Sequence, residues 1–143
     1  MPRGFDRTGV DALLRRSADH EVVHAEIGLE LLEALERARA AGIAEERIAV
    51  DPGLGFAKTA AQNRTLLRRL RELTQLGRPL VVGASRKSFI GASTGKPAPD
   101  RLFGSVAAAV IGASNGAAVL RVHDVAATRE ALAVADSVRT SGI

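Results

Sequence analysis

Three short stretches of the sequence gather residues able to do chemistry. The first, Asp51-Pro52-Gly53-Leu54-Gly55-Phe56-Ala57-Lys58, is a carboxylate followed by a glycine-rich turn. It fits neither phosphate motif that it invites. A G-x-G-x-x-G fingerprint would need glycine where Lys58 stands, and a P-loop would need it where Ala57 stands. What remains is a carboxylate that can accept two parallel hydrogen bonds from an amidine-like ring edge. The glycines beside it let a ligand come close to the backbone. The competing reading is an Asp that caps a turn. The second stretch, Gly83-Ala84-Ser85-Arg86-Lys87-Ser88, offers a hydroxyl and two cations. These suit an anion or a carbonyl group, or else are solvated loop charges. The third is Arg121-Val122-His123-Asp124. Arginine can grip phosphate with two hydrogen bonds, and histidine can add another. The bland alternative is a structural ion pair between Arg121 and Asp51.

The elements that must position these residues are read from periodicity. An apolar run at Pro79–Val82 reads as a buried parallel strand ending at Gly83. Two other runs, at Arg47–Val50 and Ala118–Val122, end at Asp51 and His123. On a strand, Arg121 and His123 would share one face and Val122 the other. Ile27, Leu31, Leu35 and Ala38 recur along one face of a helix over about 21–41, closed by Gly42. Leu66, Leu67, Leu70 and Leu73 mark a second helix over about 60–76. Val106, Val110 and Ala113 mark the inward side of a third, over about 102–114. A last helix runs from Val125 to about Arg139, with Asp124 as its N-cap and Ala131, Val134, Ala135 and Val138 buried. Gly91–Asp100 reads as a flexible loop. Residues 1–20 read as a loop with a short helix at Val10–Arg16. Helices alternating with apolar strands predict an α/β fold around a parallel sheet, one domain over residues 1–143. In such folds ligands sit at the C-terminal ends of the strands, where all three polar stretches fall.

Composition excludes several function classes. The chain has 143 residues, no Cys, no Trp or Tyr and four Phe. Disulfides, thiolate catalysis and cysteine zinc sites are therefore out. His20 and His24 read as surface residues, and no His/Asp/Glu spacing resembles a zinc site. The net charge is +4. Arginines are dense from Arg64 to Arg86, but most fall on the solvated face of a helix. Few aromatics lie between them for base stacking, so no nucleic-acid partner is expected. No stretch approaches the ~18 apolar residues of a membrane span, and no signal-peptide pattern opens the chain. A cytoplasmic protein is expected.

Together the three stretches resemble the C-terminal half of dihydropteroate synthase, the folate-pathway enzyme that sulfonamides inhibit. The resemblance runs from about Glu21 to Arg139, and Arg3-Gly4 resembles the segment after the family's fifth strand. It implies a partial (β/α)8 barrel, with three parallel strands corresponding to strands six to eight. A whole barrel takes about 250 residues. The reaction implied joins p-aminobenzoate to 6-hydroxymethyl-dihydropterin diphosphate and releases diphosphate. By resemblance, Asp51 binds the pterin edge, Lys87 contacts the pterin, and Gly83 lies beneath it. Arg121 and His123 hold the leaving diphosphate. Phe56, Arg86 and Ser88 shape the p-aminobenzoate side. Lys87, Arg121 and His123 are the residues implied in catalysis. Magnesium is implied too, but the family's protein ligand for it belongs to a part absent from this chain. A non-catalytic subunit or fragment that keeps a partial pterin and anion pocket would share every motif. Ser85-Arg86-Lys87 and Arg121-x-His123 argue against a third reading, a corrinoid-dependent methyltransferase. Three parallel strands leave open edges. The chain is therefore expected to self-associate, to bind a complementary half-barrel or to be only marginally stable, and the resemblance implies a homodimer through the C-terminal helices.

Overall fold

A computed structural model of the chain describes residues 19–142, with side chains from Ala25 onward. The expected helix at Val10–Arg16 and the Arg3-Gly4 match lie outside the described residues, as do the side chains of His20 and His24. The first helix, α1, spans Asp19–Ala40. After a 3-10 turn at Glu45–Arg47 come α2 (Ala60–Arg68), α3 (Leu70–Leu73) and strand β1 (Leu80–Val82). Then follow α4 (Ser88–Thr94), α5 (Leu102–Ser114), strand β2 (Ala117–Leu120) and α6 (Val125–Thr140). The two strands pair in parallel, with Val82 opposite Leu120. The fold is α/β, as expected.

The third expected strand, Arg47–Val50, is a single parallel bridge between Val50 and Leu80. Two prolines explain its brevity. Val50 N–H donates to the Pro79 carbonyl at 2.9 Å, and Val81 N–H donates to the Val50 carbonyl at 2.8 Å. Continuing this ladder would need an N–H from residue 52 on one side and from residue 79 on the other. Both are prolines and have none to give.

The core lies between β1 and the helices. Leu66, Leu70, Leu80 and Val82 are at most 1% exposed, and Leu32, Leu35, Leu67 and Leu73 are also buried. Each such side chain contributes about 1.5–3 kcal/mol of burial. The stripe expected on the second helix is thus the real one. The helix itself is broken at Arg69. Asn115 Nδ2 donates to the carbonyls of Leu67, at 3.0 Å, and Arg68, at 3.4 Å. This side chain intrudes on the helical ladder and ends α2. A capping box at Thr59 and Gln62 starts the same helix.

Three expectations are corrected. The region expected as the loop Gly91–Asp100 continues α4 to Thr94 and holds a 3-10 turn at Ala98–Asp100. Buried Phe89 and Ile90 anchor α4, and Gly95 caps it at φ +71°. On α5 the buried residues are Ser105, Ala108, Ala109 and Gly112, while Val106, Val110 and Ala113 are half-buried. Small residues let α5 lie close to the sheet, so the larger ones turn aside. On α6 only Thr128 is fully buried; Ala131 and Ala135 are half-buried, and Val134 and Val138 are 63% and 70% exposed. α6 packs mainly against α5, so the outer part of its stripe stays uncovered. Val119 of β2 is likewise 49% exposed. No helix of the described residues is long and apolar enough to cross a membrane.

Candidate functional site

The three polar stretches meet at one mouth, beyond the C-terminal ends of β1, β2 and the Val50 bridge. Gly83, Ser85, Lys87, Arg121, Val122 and His123 line a cavity of about 180 Å³. Val122 lines it together with its neighbours, so strand alternation does not continue past Leu120. Arg121 Nη1 lies 3.7 Å from Asp51 Oδ2, which brings the first stretch to the same place. Lys87 Nζ sits 4.1 Å from the centroid of the Phe56 ring. Phe56 is 60% exposed, so this cation–π contact fastens the turn to Lys87 while leaving much of the ring free.

The loop 51–58 is held by side chains where the sheet cannot hold it. Asp51 Oδ1 accepts Gly53 N–H at 2.8 Å, which closes the turn. Asn63 is fully buried; its Oδ1 accepts Gly55 N–H at 2.8 Å, and its Nδ2 donates to the Thr59 carbonyl at 3.0 Å. Lys58 Nζ donates to the carbonyls of Gly53, at 2.8 Å, and Phe56, at 3.0 Å. Burial pushes the Lys58 ammonium below the usual lysine range, while Glu30 and Asp51 pull it back up. Lys58 therefore acts as a brace inside the loop, and Lys87 is the lysine of the mouth.

The loop after β1 is more constrained. Arg86 adopts φ +58°, the left-handed region that a non-glycine residue avoids at a cost of about 1–3 kcal/mol. Its surroundings impose this geometry. Arg86 N–H donates to Ser105 Oγ at 2.9 Å, and its carbonyl accepts Arg101 Nη1 at 2.9 Å. Arg86 Nη2 lies 3.2 and 3.3 Å from the two oxygens of Asp124. Arg101 Nε also donates to the Lys96 carbonyl at 2.8 Å, so one guanidinium ties two loops to the start of α5.

Of the residues expected from sequence, Asp51, Phe56, Gly83, Lys87, Arg121 and His123 come together. Arg86 turns its guanidinium to Asp124, away from the cavity lining, and Ser88 is an exposed first residue of α4. Asp124 precedes α6 as expected, but its carboxylate makes no capping bond and serves Arg86 instead. The bland pair between Arg121 and Asp51 exists. At 3.7 Å, with Arg121 61% exposed, it is a loose surface contact, worth about 0–1 kcal/mol and easily exchanged for an anion.

Sequence reasoning overlooked Asn63, Arg101 and Ser105, which hold the loops without touching the cavity. Their partners are backbone atoms, which leave no side-chain pattern. Glycine matters at two positions here. A methyl group on Gly83 would collide with Arg121 Nη2 and lie 3.0 Å from its Cζ. Gly55, at φ +83°, would place one 2.6 Å from Lys87 Cδ. Each cation of the mouth is seated against a glycine.

The arrangement presents two permanent cations, an imidazole and one carboxylate to a small open cavity. It suits a ligand with an anionic end and a hydrogen-bonding ring. Among the described residues, no three His, Asp or Glu side chains gather in a way that could hold a metal ion. Asp51 already receives Gly53 N–H and faces Arg121. The donors therefore do not fit a resident magnesium ion. A larger cavity of about 500 Å³ opens between α2, α4 and α5, lined mainly by Leu67, Phe89, Ile90, Ala107, Ala108 and Ile111. None of the strand-end groups reaches it.

Comparison with known proteins gives a consistent result. Residues 10–123 match the family described as pterin binding enzyme. The dihydropteroate synthase of Escherichia coli K12 is 42% identical over 124 residues, covering 87% of this chain and 44% of that protein. That of Synechocystis is 50% identical over 104 residues, covering 72% and 36%. The structure of a Coxiella burnetii dihydropteroate synthase in complex with pteroic acid superposes with a TM-score of 0.84 at 41% identity, covering 89% of this chain and 47% of that one. A Xanthomonas albilineans dihydropteroate synthase in complex with 7,8-dihydropteroate gives 0.83 at 44% identity, covering 89% and 48%. The chain thus spans less than half the length of these relatives.

Proposed function

Because the chain belongs to the pterin binding enzyme family, we propose that its mouth is the C-terminal half of a dihydropteroate synthase site. The observation that carries this reading is the convergence of Asp51, Lys87, Arg121 and His123 at one group of strand ends. In this reading β1, β2 and the Val50 bridge are strands six to eight of a (β/α)8 barrel. The alignment with just under half of each relative supports it.

The reaction is a substitution at the methylene carbon of the dihydropterin diphosphate. The amine nitrogen of p-aminobenzoate forms a bond to that carbon, the carbon–oxygen bond to diphosphate breaks, and the amine loses a proton. Asp51 accepts the N–H pair of the pterin edge, and Lys87 contacts the ring. Gly83 leaves room beneath it. Arg121 and His123 face the diphosphate, where negative charge grows as the bond breaks. The fixed charge of Arg121, with a hydrogen bond from His123, favours the transition state over the ground state. Holding the carbon in line for the arylamine supplies the rest. Phe56 offers an apolar face for the p-aminobenzoate ring, and Arg86 and Ser88 flank Lys87 in sequence. Magnesium enters this reading only as a companion of the diphosphate substrate, and no step is routed through it.

A complementary half-barrel or a second copy of these residues would cover Val119 and the open edge of β2. Turnover is expected only with that complement. The first measurement is calorimetric binding of the dihydropterin diphosphate to the purified chain, followed by diphosphate release after p-aminobenzoate and magnesium are added. Binding that disappears in Lys87→Ala supports the reading. A chain that binds neither pterin nor diphosphate sinks it.

A further inference from the structure

The buried hydroxyl of Ser85 has no part in the reading above, yet it touches His123 at two points. Ser85 is 7% exposed. Its Oγ lies 2.8 Å from His123 Nδ1 and accepts the backbone N–H of His123 at 3.3 Å. Hydrogen counting then favours one form of the ring. If Nδ1 also donated to Oγ, the hydroxyl hydrogen would have no protein acceptor among the described residues, because Oγ meets only His123 there. Buried polar hydrogens are almost always satisfied. The arrangement that satisfies every group has the hydroxyl donating to Nδ1. A neutral imidazole whose Nδ1 is an acceptor carries its proton on Nε2. Nε2 is the ring nitrogen left for a ligand, and His123 lines the cavity.

We infer that Ser85 is a positioning residue: it holds His123 as the Nε2–H tautomer, so that the imidazole meets an incoming diphosphate as a hydrogen-bond donor. The opposite tautomer would present a lone pair to an anion and repel it. The bond from the backbone N–H also anchors the hydroxyl, since Ser85 and His123 follow different strands, so the two strand ends cannot part without breaking it. The inference rests on the anion-binding half of the proposed function and adds to it the group that makes His123 a donor.

The test is long-range nitrogen–proton NMR of the chain's imidazoles, above the pH at which they titrate. His123 is assigned by its loss in His123→Gln. The parent chain should show His123 in the Nε2–H form alone, and Ser85→Ala should show a mixture of tautomers. Calorimetry with inorganic diphosphate should show affinity falling about threefold to tenfold in Ser85→Ala, the range expected for one lost neutral hydrogen bond. Ser85→Thr, which keeps the hydroxyl, should restore both. The parent measurement alone decides the tautomer if Ser85→Ala does not fold. A mixed tautomer in the parent overturns the inference, as does a Ser85→Ala chain whose tautomer or affinity is unchanged. A mixed parent that still binds the pterin diphosphate would leave the functional reading standing. Ser85-dependent binding of inorganic diphosphate without any pterin binding would sink that reading and leave this inference intact.

Discussion

Placing one methyl group at Gly83 should separate binding from stability. The added carbon would meet the Arg121 guanidinium, with Cζ and Nε each 3.0 Å away. Because the obstacle is the far end of a flexible side chain, 61% exposed, the backbone need not move; the guanidinium swings outward. The fold loses only the loose contact with Asp51, about 0–1 kcal/mol. The mouth loses a charge-assisted bond to diphosphate, about 1.5–3 kcal/mol. At 1.4 kcal/mol per decade that is about tenfold to 150-fold in affinity. Calorimetry with inorganic diphosphate reads the second effect, and urea unfolding reads the first. Gly83→Ala should therefore unfold within about 1 kcal/mol of the parent and bind diphosphate at least tenfold more weakly. Unchanged affinity would mean that Arg121 does not hold the anion. A loss of several kcal/mol in stability would mean that Gly83 faces backbone and not an open mouth.

Further expectations concern the loop and the charges. Asn63→Leu strands the Gly55 N–H and should destabilise the chain by about 1–3 kcal/mol, with earlier amide exchange over 53–58 than elsewhere; uniform exchange would contradict the bracing role. Lys58 has a folded pKa below its unfolded value, so the unfolded chain binds its proton more tightly. Stability should rise with pH through this group in the alkaline window just below the ordinary lysine value of 10.5, and Lys58→Met should lack that rise in urea titrations across the window. Arg121→Ala should weaken diphosphate binding far more than binding of a pterin without diphosphate, and Asp51→Asn should do the reverse; equal losses would refute the division of roles.

How much of this was legible in the sequence depended on whether side chains or backbone carried the signal. The leucine stripe of α2 and α3, the extent of α5 and the end of β1 at Gly83 follow from periodicity, because burial forces the pattern, whereas the strand expected to run to Val122 stops at Leu120. The convergence of Asp51, Lys87, Arg121 and His123 follows from parallel topology once the strands are known. The break after Arg68 was invisible, since it is caused by Asn115, far away in sequence. The reduction of the third strand was half visible: Pro52 and Pro79 stand in the sequence, but their effect needs the register. The capping role expected of Asp124 gave way to a tertiary partner, since a charged guanidinium within reach is the stronger attraction. The outward turn of Val134 and Val138 reflects the packing of α6 mainly on α5, which covers only part of the stripe.

Arg86 has a consequence for anyone who selects variants of this chain. At φ +58° the position favours glycine or asparagine, yet it carries the long side chain that reaches Asp124. A library sorted on heat resistance alone should drift there toward the smaller residues, because each relieves the backbone. The same drift would cut the tie between the Lys87 loop and the last helix. Sorting on ligand capture should bring arginine back. Two selections applied to one population would thus pull this codon in opposite directions, and the frequency of arginine at 86 would report which of them was the stronger.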